Sequence, residues 1–192
     1  MLSIVHMISA VLCAKVFAFM EGVSGGMSLY GGLFFLPILF ILVAWLTNRD
    51  IVEACDVFTV PNIVTVFCAR MNCLFSGCCL GTIIPGTTDW RWPTREIELI
   101  LYIILYIVLR QKTGKSKYKG KLYPIYMITY GTFRFCIEWF RENDSVVNIF
   151  HISHIWSLLS VAIGVAAIII INKKQNEKNK HIAKFKKQKG GA

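Results

Sequence analysis

The sequence predicts an all-α, polytopic transmembrane bundle of about six helices, with both termini on the cytoplasmic side. Three observations predict it. Of the 192 residues, 55% are hydrophobic and only 17% charged, and the mean hydropathy is +0.56, too apolar for a soluble chain that must cover its core with polar surface. The apolar residues come in long blocks, several near the length that spans about 30 Å of hydrocarbon. Several such blocks also exclude a single cleaved leader ahead of a soluble domain. The basic residues are clustered: of 21 Lys and Arg, six lie in Arg110–Lys121 and eight in Lys173–Lys189, each stretch directly following an apolar block.

The blocks run over 2–20, 28–46, 57–80, 93–109, 122–140 and 152–171. The second and sixth carry no charge. The fourth has the shortest apolar core, Ile97–Leu109, and draws on Trp90 to Glu96 to reach full length. Positive charge favours the cytoplasmic side, so 110–121 and the tail are expected inside. Counting back, 141–151, 81–92 and 21–27 face outward, and the N-terminus faces inward. The chain thus divides into a transmembrane region, 1–171, and a basic cytoplasmic tail, 172–192, expected as a frayed helix end or disordered segment. The net charge of +10 is read as attraction to anionic lipid at the cytoplasmic face. Nucleic acid is not expected as a partner, because only Tyr118 and Phe185 interleave with the basic residues. Cys73, Cys78 and Cys79 cluster without a CxxC pair or matching histidines, so no metal or cofactor is expected and helix packing is their default role.

Charges within apolar blocks are costly, on the order of 2.5–3.5 kcal/mol near the bilayer centre. Arg70, Arg91, Arg95, Glu98, Arg134, Glu138 and Arg141 all fall at the outer end of a helix or in an outer loop, level with Glu21, Tyr30 and Asp89. Tyr130, Arg134, Glu138 and Arg141, spaced four, four and three, share one helix face. One reading is an intrahelical ion pair that helps a charged helix insert. The other is a cavity wall in which Glu138 holds Arg134, leaving guanidinium donors for a phosphodiester; in an outer leaflet that is a phospholipid headgroup. Two glycine-rich elements, Gly25–Gly32 and Ser76–Gly81, lie on the same side.

These residues resemble the prolipoprotein diacylglyceryl transferase family. Tyr130-Gly131-Thr132-Phe133-Arg134-Phe135-Cys136-Ile137-Glu138-Trp139-Phe140-Arg141 is similar to its YGxxRFxxExxR helix, and Ala69–Gly77 to its G-R-x-G-N-F-x-N-G signature. Gly26–Leu33 resembles its G-M-S-F-H-G-G-L element, and Trp92–Glu98 its H-P-[ST]-Q-L-Y-E element. The resemblance implies a membrane enzyme that moves a diacylglyceryl group from phosphatidylglycerol to a lipobox cysteine thiol of a prolipoprotein, or to another acceptor. It implies catalytic roles for Arg134, Glu138 and Tyr30, and substrate-binding roles for Arg70, Asn72, Arg141, Gly31, Gly32 and Gly77. Tyr30 stands where the family has a histidine, Cys73 and Ser76 where it has asparagines, and a tyrosine with a pKa near 10 is a poor base. His151 and His154 are candidates for the base in its place. Against that family the chain reads as short, lacking an N-terminal helix and a soluble head. The other readings are a phospholipid-binding homologue without activity and a small membrane transporter.

Overall fold

A computed structural model describes residues 2–20, 29–77, 79–141, 146–147 and 150–189. Among them are six α-helices: α1 Leu2–Met20, α2 Leu29–Leu46, α3 Ile51–Ser76, α4 Thr94–Lys112, α5 Leu122–Glu138 and α6 Ile152–Lys189. A 3-10 turn at Ser116–Tyr118 joins α4 to α5. Two two-residue strands, β1 Val146–Val147 and β2 Phe150–His151, pair antiparallel ahead of α6.

Five helices start within two residues of the expected blocks, whereas α3 starts six residues early. Asp50 is the reason: its carboxylate accepts from the Val52 N–H at 3.1 Å and caps the helix there. Gly77, with φ +68°, ends the helix in the left-handed conformation that only glycine adopts without strain. Of the two expectations for the tail the structure takes the helical one, and α6 runs unbroken through residue 171 to Lys189. From Val165 onward no glycine or proline occurs before Gly190, and Lys, Gln, Glu and Ala are good helix formers. At 38 residues α6 is about 57 Å long, so its apolar half alone matches the hydrocarbon thickness.

The interior combines an apolar core with a set of buried polar and charged side chains, and much of the exterior is apolar. Thr59, Asn62, Arg70, Glu98, Arg134, Glu138, His154, Ser157 and Ser160 are buried. Ile38, Ile41, Leu42 and Trp45 on α2, Ile100, Ile103 and Ile107 on α4, and Ile155, Leu158, Ile163 and Ile170 on α6 are exposed. Exposed apolar faces of this extent mark contact with lipid or protein. By length and composition α3 and Ser153–Lys180 of α6 can each cross a membrane; Ile8–Met20 and Tyr30–Leu46 are shorter apolar helices.

Small residues set the closest approaches. A Cβ on Gly131 would lie 2.7 Å from the Ser157 carbonyl oxygen, and one on Gly164 would lie 2.7 Å from Ile128 Cγ1. Ser160 Oγ donates to the Met127 carbonyl at 2.9 Å across the same α5–α6 seam. At α1–α2 the same device recurs, where a Cβ on Gly31 would clash with the Cys13 carbonyl oxygen.

The buried carboxylate of Asp56, on α3, accepts from the backbone N–H groups of Gly120 and Leu122, the latter at 2.9 Å. It thereby caps α5 from a neighbouring helix. Replacing Asp56 with Ala is expected to cost about 1–2 kcal/mol and to lower the melting temperature of the detergent-solubilised protein. An unchanged melting curve would show that water serves those N–H groups equally well. Beside this cap, Gln175 Nε2 donates to the Lys119 carbonyl at 3.2 Å. The two basic stretches therefore meet at one end of the bundle.

Candidate active site

The opposite end is formed by the C-termini of α3 and α5 and the N-termini of α4 and α6. The charges embedded in three apolar segments come together there. Arg70 from α3 places Nε 2.7 Å from Glu98 Oε2 on α4. The other oxygen of Glu98 accepts from Arg134 Nη1 on α5. Arg134 Nη2 lies 2.8 Å from Glu138 Oε2, one turn further along α5, and Arg141 Nη1 lies 3.8 Å from the same oxygen. Arg70, Glu98, Arg134 and Glu138 are buried, with Glu138 wholly inaccessible, and Arg141 is partly exposed. Isolated charges at such depth would carry a heavy desolvation cost, which the alternation of guanidinium and carboxylate offsets.

The alternation is incomplete. Among the described residues three guanidinium groups face two carboxylates, leaving one positive charge in excess among them. The Nε–H groups of Arg134 and Arg141 are buried without a hydrogen-bond partner among the described residues. Burial, followed by the proximity of Arg134 and Arg70, lowers the Arg141 pKa from its usual value. The cluster is therefore electropositive, with donors to spare: a site suited to an oxyanion.

Aromatic rings floor the cluster. Tyr102 lies one turn from Glu98 on α4 and Tyr130 one turn from Arg134 on α5, with ring centroids 6.3 Å apart and nearly parallel. The hydroxyls of Tyr102 and Tyr130 are buried without a hydrogen-bond partner among the described residues. Tyr30 on α2 meets Tyr130 edge-on at 6.0 Å. Its hydroxyl donates to the Ser153 carbonyl at 2.9 Å and lies 2.8 Å from Ser157 Oγ, which ties α2 to the start of α6.

An extended strap closes this end. Gly81 pairs with Arg141 and Ile83 with Arg91 in isolated antiparallel bridges, and Thr82 N–H donates to the Phe140 carbonyl at 2.9 Å. Arg91 Nη1 donates to the Gly81 carbonyl at 3.1 Å, and Arg95 Nη2 lies 3.8 Å from Glu96 Oε1. These two arginines serve the strap and the rim, while Arg70, Arg134 and Arg141 converge.

Of the other residues singled out in the sequence, Asn72 is exposed on α3, two residues beyond Arg70 and so turned from the cluster. Gly31 serves helix packing and Gly77 ends α3, whereas a Cβ on Gly32 would make only an ordinary 3.7 Å contact with Leu36. His154 is fully buried with its ring edge-on to Phe135 and Trp139 at 5.0 and 4.9 Å. Glu21, Gly25, Gly26, Met27, Ser28 and Cys78, and the side chain of His151, lie outside the described residues. Glu98 is the residue that reading the sequence undervalued. It stood out only as an acid in an apolar block, yet it joins three helices.

The described residues form a helical bundle with apolar faces outward and a cluster of three arginines and two glutamates at one buried end. Residues 4–170 match the family model described as prolipoprotein diacylglyceryl transferase, and the chain belongs to that family. It is similar to the phosphatidylglycerol–prolipoprotein diacylglyceryl transferases of Pseudoalteromonas translucida, 27% identical over 80% of this chain and 63% of the relative, and Chlorobaculum tepidum, 28% identical over 80% and 58%. That of Oleidesulfovibrio alaskensis is 30% identical over 63% of this chain and 49% of the relative. The chain thus spans roughly three fifths of the length of the first two relatives.

Proposed function

We propose that the protein transfers a diacylglyceryl group from phosphatidylglycerol to a cysteine thiol of a prolipoprotein, with the arginine–glutamate cluster holding the lipid phosphodiester. The observation that carries this is the single positive charge in excess within a buried, donor-rich site. An apolar groove between α3 and α4, lined by Ile63, Val64, Phe67, Tyr102, Ile103 and Tyr106, begins one turn from Arg70 and Glu98. It favours a lipid-borne anion over a soluble one. In this reading all six helices cross the cytoplasmic membrane, and the basic end lies inside against anionic lipid, with both termini. The cluster then opens to the outer leaflet.

The reaction joins the thiol sulfur to the glycerol carbon as that carbon's bond to the phosphate oxygen breaks. Glycerol phosphate leaves with the electron pair and the thiol proton is released. Arg70 and Arg134 stabilise the charge on the departing phosphate, Glu138 and Glu98 keep Arg134 in place, and Arg141 sits at the mouth.

One observation favours a second reading, a phospholipid-binding homologue without transfer. Tyr30, at the family's histidine position, has its hydroxyl engaged by Ser153 and Ser157, and a tyrosine donating to a carbonyl is no base. The test is a transfer assay in phosphatidylglycerol vesicles with a lipobox peptide, using wild type and Tyr30→His. Lipidated peptide from the wild type is the expected outcome. Lipid binding without transfer, with transfer regained in Tyr30→His, would replace the first reading by the second. Absence of both binding and transfer would overturn both.

A further inference from the structure

We propose that Glu98 sets the charge of the anion site, so that the site takes a singly charged phosphodiester in preference to a doubly charged phosphomonoester. The inference rests on the reading of the cluster as a phosphate site and adds the rule by which it discriminates. Glu98 is the one buried acid that α4 contributes among the described residues, and both of its oxygens are used, one on Arg70 and one on Arg134. Counted over the described residues, three guanidinium groups and two carboxylates carry one positive charge, which a bound phosphodiester makes neutral. Without the Glu98 carboxylate they would carry two, and a phosphomonoester, whose second pKa is about 6, would be the neutralising ligand.

An uncompensated charge inside a buried site is the costly state, so ligand charge is selected by matching. The consequence for turnover follows from the reaction's own balance. Substrate phosphodiester enters with one negative charge. When the carbon–oxygen bond breaks, the phosphate keeps the electron pair and leaves as glycerol phosphate with two. A site matched to one charge binds the substrate better than this product and so releases it. Glu98 is therefore a positioning residue for two arginines and also the residue that fixes selectivity.

The test measures displacement of labelled phosphatidylglycerol from the full chain in nanodiscs at pH 8. Competitors are phosphatidylglycerol and phosphatidic acid as lipids, and glycerophosphoglycerol and glycerol phosphate as their soluble counterparts. Wild type and Glu98→Asp, which both keep the carboxylate, are expected to prefer the diester over the monoester at least tenfold in each pair. Glu98→Gln is expected to narrow or reverse that ratio by at least tenfold and to raise inhibition by glycerol phosphate. Equal weakening of diester and monoester in Glu98→Gln, with the ratio kept, would reduce Glu98 to a scaffold and overturn the proposal. So would a wild type without preference. If no lipid is bound at all, the lipid-transfer reading falls alone. The charge rule is then decided by the two soluble anions measured directly by calorimetry, where an unchanged ratio in Glu98→Gln overturns it. Should Glu98→Gln fail to fold, Glu98→Asp decides: lost selectivity with its charge intact overturns the proposal, and retained selectivity upholds it.

Discussion

Replacing Arg134 with Ala is expected to lower affinity for phosphatidylglycerol by roughly tenfold to a hundredfold and to abolish measurable transfer. The arginine links the two buried carboxylates, donating to Glu98 and approaching Glu138 at 2.8 Å. Its loss removes one positive charge from the cluster and takes from Glu138 the guanidinium at 2.8 Å, while Arg141 stays at 3.8 Å. A charge-assisted hydrogen bond to a ligand is worth about 1.5–3 kcal/mol, which corresponds to the stated range. Breaking a buried pair from one side adds a stability loss of about 3–5 kcal/mol. Binding and melting temperature must therefore be measured together, in vesicles and in detergent. Arg134→Lys separates the two effects, because lysine keeps the charge but lacks the planar fork that reaches two partners. It is expected to restore most of the stability and little of the affinity. Full affinity in Arg134→Ala would remove the cluster from the lipid site.

Replacing Gly131 with Leu is expected to be among the most destabilising changes in the bundle, although it adds only apolar atoms. Even the first carbon of the new side chain would lie 2.7 Å from the Ser157 carbonyl and 2.9 Å from Val161 Cγ2. Both belong to α6, and the nearer one is backbone that no rotamer change can move. The helices must separate, the Ser160–Met127 bond across the seam is lost, and overpacking of this kind costs about 1–3 kcal/mol or more. Arg134 sits less than one turn away, so lipid binding should fall with stability. Thermal unfolding in detergent reads the effect directly. Gly32→Ala is the control, since its added carbon meets nothing closer than 3.7 Å. A fall in transfer there without a fall in melting temperature would assign Gly32 to the substrate. Equal stability of Gly131→Leu and wild type would mean that α5 and α6 are not packed as described.

Much of this architecture is legible in the sequence because the bilayer reduces the number of solutions. Long apolar blocks have to become helices, since backbone polar groups in lipid must be satisfied within the segment, and five of the six begin where the blocks do. The start of α3 was missed because hydropathy is blind to Glu53 and Asp56, which helical geometry accommodates: Glu53 at the exposed edge and Asp56 as a cap for α5. Past residue 171 polarity alone left a frayed helix end and a disordered segment open, and the helix runs on to Lys189 because helix propensity there is ample.

By itself the sequence determined the helical class, the gathering of arginines at one end, and the pairing of Arg134 with Glu138. Each of these depends on local periodicity or on the high cost of charge in an apolar segment. Only the tertiary structure decided that Glu98 joins Arg70 to Arg134, that Tyr30 is held by Ser153 and Ser157, and that Gly31 faces a neighbouring helix. Those outcomes depend on the rotation of each helix about its axis and on its neighbours. No spacing within a single helix encodes them, because they arise where residues tens of positions apart share one small, water-poor volume.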